Sequence, residues 1–143
     1  MKKTKRNLAA SMLCVLLIIV WGTGCGGTQK EQADGEEKAA TFVYEIEDIF
    51  QLKDNGVVVV GEVLDGKLKV GDKVNYYDSV GDKIFVCTVS AIEQPPQTGL
   101  KEASAEGEHT HYAFMIENKG KTDFEIKGYL VKGDLHKWLA QEE

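Results

Sequence analysis

Residues 42–51, FVYEIEDIFQ, and 56–66, GVVVVGEVLDG, decide how this chain folds. In the first, Phe42, Tyr44 and Ile46 alternate with Val43, Glu45 and Glu47. That period of two puts one set of side chains on each face of a half-buried strand. In the second, Val57 to Val60 are β-branched without interruption, apolar on both faces, as suits a strand with neighbours on both sides. Asp65-Gly66 follows Leu64 as a two-residue turn signal, because a type I′ turn needs positive φ at both central positions. The sequence therefore predicts strands over 42–51, 57–64 and 67–70, the last two joined as a hairpin.

Downstream the same grammar repeats. Gly71-Asp72 and Gly81-Asp82 punctuate strands expected at 73–78 and 83–93, with further strands at 110–117 and 128–131. Residues 94–108 carry Pro95-Pro96 and Gly99 with no period, and read as one long loop of the kind that is usually functional or mobile. Asp134 is placed to cap a short helix with Leu135, Trp138 and Leu139 on one face. Many short strands with glycine turns make an all-β domain: a small closed antiparallel β-barrel with a short C-terminal helix.

Upstream the character changes. Residues 25–41 are polar and acidic, cannot bury enough surface to order themselves, and are expected to form a flexible tether. Before them, Lys2, Lys3, Lys5 and Arg6 precede an apolar run from Leu8 to Trp21, then Gly22-Thr23-Gly24-Cys25. A cationic start, a short apolar middle and small residues make an export signal. The run is 14 residues, whereas a helix needs about 20 to span hydrocarbon. Ending on cysteine, the segment resembles a bacterial lipoprotein signal peptide, residues 1–24, with Cys25 as the lipidated first residue of the mature chain. That resemblance implies an extracytoplasmic protein attached to the cell membrane by acyl chains at Cys25. The domain would then be residues 42–143.

Processing would also change the charge. Of 17 Lys and Arg, four precede Cys25, whereas all 23 Asp and Glu follow it, so the mature net charge is near −10. Arg6 is the sole arginine of the chain. A domain this acidic, without the planar fork that grips phosphates and guanine edges, is a poor candidate for nucleic acid. Of three cysteines, Cys14 leaves with the signal and Cys25 would carry lipid. Only Cys87 remains, in an apolar strand without adjacent cations, where an inert buried thiol is expected.

Ile46-Glu47-Asp48-Ile49-Phe50, Gly56-Val57-Val58-Val59-Val60-Gly61, Gly66 and Val70-Gly71-Asp72-Lys73-Val74 together resemble the barrel-shaped second domain of elongation factor Tu-type translational GTPases. Glu106-Gly107-Glu108 and Lys127-Gly128-Tyr129-Leu130-Val131 continue the likeness, which covers about 42–133. The resemblance implies a pocket in which Glu47 and Asp48 match acidic residues, Glu93 matches a third, and His109 stands where the family has Asn. The pocket's arginine has no counterpart, since Gln94-Pro95-Pro96 occupies that stretch. No counterpart of the family's nucleotide-binding domain is expected from these 143 residues. Gly120-Lys121-Thr122 imitates the end of a phosphate loop, but Met115 stands where its first glycine belongs, and strand is expected from Asp123 to Val131. GTP binding is therefore not expected.

A cleft lined by Glu47, Asp48, Glu93 and His109 would favour a cationic group. His109 and His111, two apart, share a face if both lie on one strand, and with Glu93 or Glu108 nearby they suit a zinc or copper ion. No nucleophile elbow, metalloprotease helix or Ser-His-Asp spacing is present, so no enzyme and no cofactor is expected. The sequence points to a lipid-anchored binding module whose partner is an envelope protein, a peptide or a small cationic ligand. A metal-binding lipoprotein using His109 and His111 is the alternative. A cytoplasmic translation-factor relative is a third reading, should the leader not be a signal.

Overall fold

The computed structural model describes residues 38–143, so the leader, Cys25 and most of the polar stretch lie outside the described residues. Six strands close a barrel: β1 (Phe42–Gln51), β2 (Gly56–Lys69), β3 (Lys73–Tyr77), β4 (Lys83–Gln94), β7 (His111–Glu117) and β8 (Tyr129–Lys132). Their order is β1-β8-β3-β4-β7-β2, and β2 returns to β1 to complete the ring. Every pairing in the ring is antiparallel. Closure leaves Val57 to Val60 with β1 on one side and β7 on the other, which is the central position their composition suits.

Inward-facing residues fill the barrel. Phe42, Tyr44 and Ile46 from β1 meet Val57, Val59 and Val63 from β2, and Phe114 and Ile116 from β7, all essentially without solvent contact. Tyr44 sits at the centre, its ring stacked on Phe114 at 4.3 Å. Its hydroxyl lies 2.8 Å from the Tyr112 carbonyl and 3.1 Å from that of Val59, so a polar atom in the core is satisfied. Burial, with a smaller contribution from Glu47, raises the Tyr44 pKa well above that of a free phenol.

Asp65-Gly66 does not form the expected hairpin turn. β2 runs unbroken from Gly56 to Lys69, and the two residues lie within it. Gly66 takes φ of 76°, and a register shift between Val43 and Tyr44 marks the same region. The strand bends there, leaves β1, and pairs through Lys67–Lys69 with β6 (Glu102–Ser104). A turn signal reports positive φ, and a bend within a strand demands the same backbone. The expected long loop is likewise interrupted. β5 (Gln97–Leu100) folds back on β4 around a cis Pro95-Pro96, and β6 follows. Strand structure also fails to begin at Asp123: one 3₁₀ turn spans Lys121–Asp123, and β8 starts only at Tyr129.

Helix α1 (Leu135–Glu142) docks on the outside of the barrel. Asp134 caps it, accepting from the His136 and Lys137 amides at 2.9 and 3.3 Å, a contribution of about 1 kcal/mol. Leu135 is buried with Val43, Tyr77 and Val131 in a second, smaller apolar cluster, and Trp138 packs against it. Val43 therefore belongs to a buried face although its strand neighbours on that side are acidic. Trp138 donates its indole N–H to Asp65 at 2.8 Å. Leu139, expected on the docked face, is 42% exposed. A parallel bridge from Ala39 to Asp134 ties the chain down just ahead of β1.

Gly61 is a site of very close backbone approach in the ring. A Cβ there would lie 1.9 Å from the Glu45 carbonyl oxygen of β1. Backbone cannot yield as a flexible side chain does, so Gly61→Ala is expected to destabilise the fold by about 2–3 kcal/mol, read as a lower midpoint in urea unfolding.

Candidate functional site

The outer face of β1, β2 and β7 gathers the acidic residues. Glu45 pairs with Glu62 across β1 and β2, and Glu62 pairs with His111 across β2 and β7, so the three lie in one row. The next row runs Asp48, Val60, Ala113, Glu93. Between the rows β1 has a bulge: Ile46 opposes Gly61, Asp48 opposes Val60, and Glu47 is the extra residue. A bulge re-aims the side chain it carries. Here it brings Glu47 Oε1 to 3.4 Å from His111 Nε2, with both side chains about half exposed.

One oxygen each from Glu47 and Glu62 and one ring nitrogen from His111 lie within 4.8 Å of one another. Thr110 donates its hydroxyl to Glu62 Oε1 at 2.8 Å and so fixes that carboxylate. Glu45 is occupied by Lys127 at 2.6 Å. That contact raises the lysine pKa, first through the hydrogen bond and then through charge.

The other expected site residues are divided. Asp48 accepts from the Ile49 amide at 2.8 Å. Glu93 stands at the far end of its row, three strands round the six-strand ring from Asp48, so those two carboxylates do not converge. His109 precedes β7 and lies on no strand, so the face-sharing expected for His109 and His111 does not arise from strand alternation. The two histidines instead line a cleft of about 420 Å³ with Gln94, Pro95, Pro96 and Gln97. Gln94 steadies its rim by donating to the carbonyls of His109 and His111 at 3.0 and 3.1 Å.

Glu62 is the residue that sequence reasoning passed over. Its signal was present: it shares a face with Val58 and Val60, where a lone carboxylate stands out. At Gly120-Lys121-Thr122 the amides that would meet a phosphate are engaged. The Gly120 amide donates to Asp123 and that of Lys121 to Gln51, each at 2.7 Å.

No family model matches the chain. Solved structures similar to it include the bacterial selenocysteine-specific elongation factor EF-Sec, with a TM-score of 0.53 at 19% identity over 65% of this chain. Translation elongation factor SelB from Methanococcus maripaludis, in its apo form, is another, with 0.54 at 20% identity over 68%. The fold is similar to that of translation-factor barrel domains. The matched regions make up only 15% and 20% of those two chains, and identity this low speaks to fold alone.

Cys87 is 7% exposed and lies in the barrel core. Burial pushes its thiol up to about 11, against a small opposing pull from Lys119. An unfolded thiol titrates near 8.5, so the native chain withholds its thiolate until pH rises through about 11. In a Cys14→Ser, Cys25→Ser variant, Cys87 is expected to react with a disulfide reagent at pH 8 at least ~100-fold faster after guanidinium unfolding than in the native state. The same shift makes stability fall as pH climbs from the unfolded value toward the folded one.

Proposed function

We propose that this chain is a lipid-anchored binding module, held at the outer side of the bacterial cell membrane through Cys25. The observation that carries the reading is the leader: four cationic residues, a short apolar run and Gly22-Thr23-Gly24-Cys25. Two or three acyl chains on the cysteine would give lasting attachment where one would not. The polar stretch after it supplies reach, and the barrel is the part that meets a partner.

The partner's chemistry follows from charge. A mature chain near −10, with Glu47, Asp48 and Glu62 on neighbouring strands of one outer face, favours a cation over nucleic acid or an anionic lipid surface. A basic envelope peptide, a small amine or a metal ion meets that requirement. Catalysis is no part of this reading, in which the one thiol among the described residues is buried and held protonated.

Growth of the producing bacterium on radiolabelled palmitate tests the anchor. Label is expected in the full-length gene product and absent from a Cys25→Ala variant. An unlabelled protein that retains its initiator methionine would rule for a cytoplasmic relative of translation factors instead.

A further inference from the structure

We infer that Glu47, Glu62 and His111 form a binding site for a divalent cation of the zinc class, with an open fourth position. Their donor atoms converge to within 4.8 Å without any rearrangement of the backbone. The separation of 3.4 Å between His111 Nε2 and Glu47 Oε1 is longer than the usual 2.7–3.2 Å of an N–H···O bond. It does match the edge of a tetrahedron whose metal–ligand bonds are about 2.0–2.1 Å, which is roughly 3.4 Å. A spacing of 3.4 Å, which is also within ion-pair reach, suits two ligands of one ion.

Each ligand is set by a separate device. The β1 bulge turns Glu47 toward the histidine, and cross-strand pairing places Glu62 directly opposite His111. The Thr110 hydroxyl engages Glu62 Oε1, the kind of outer contact that orients a ligating carboxylate. Glu45, next in the row, is neutralised by Lys127 and stays out. Two carboxylates and one imidazole are the donor number of an open zinc site, whereas calcium takes six to eight oxygens. Half exposure of Glu47 and His111 gives the ion an entry path.

The inference deepens the proposed preference of this face for a cation and does not depend on the lipid anchor. Calorimetric titration of the full-length protein with Zn²⁺ tests it. One ion per chain is expected at micromolar affinity, weakened at least tenfold by His111→Ala and by Glu62→Gln, and about tenfold by Thr110→Val. His109→Ala is expected to leave the affinity unchanged. All these side chains lie on the surface or the barrel rim, and urea midpoints without metal check that each variant still folds. Absence of saturable binding in wild type, or binding that survives His111→Ala, overturns the site. So does an equal loss in His109→Ala, which would move the ion to the proline-lined cleft. Palmitate labelling is read on the same protein, so loss of the metal site and loss of the anchor are separate outcomes.

Discussion

The contact between the backbones of β1 and β2 is the constraint on which the rest of this barrel depends. At Gly61 and at Gly66 the facing carbonyl, of Glu45 and Thr41 respectively, lies where a side chain would begin. Two strands this close, joined along nearly their whole length, close the ring and set the rows of side chains on both faces. The bulge at Glu47 interrupts the same pairing. Closure and the placement of Glu47 therefore meet at one feature: the irregularity in the β1–β2 register also swings a carboxylate out of its row toward His111.

The outside of the barrel is not uniform. Helix α1 covers Val43, Tyr77 and Val131, turning part of the outer face into a second small core. A helix of eight residues is too short to hold itself, and its order comes from the Asp134 cap, the burial of Leu135 and the Trp138–Asp65 bond. The acidic rows lie on the outer side of β1, β2 and β7. A small barrel that spends its interior entirely on packing has only such faces to offer a partner.

Strand alternation and glycine spacing made most of the fold readable before any coordinates. The strand at 42–51 and the cap at Asp134 were legible because each rests on neighbours in sequence. Asp65-Gly66 was misread because φ > 0 serves a turn and a strand bend alike, and only the partner strand tells them apart. β5 and β6 were invisible because strands of four and three residues carry too few alternations to show a period. Glu47, Glu93 and His109 were legible as polar residues on or beside strands. Their grouping was not, because it depends on which strand lies beside which.

By itself the sequence determined the all-β class, the acidic balance, the absence of arginine beyond Arg6, and the cationic then apolar character of residues 2–21. These are local or additive properties, and no distant contact alters them. The tertiary structure alone decided that Glu62 joins Glu47 and His111, while His109 meets His111 along the proline-lined cleft. The reason is register: residues 15 and 49 positions apart in sequence meet only when three strands pair in one alignment, and one bulge chooses it.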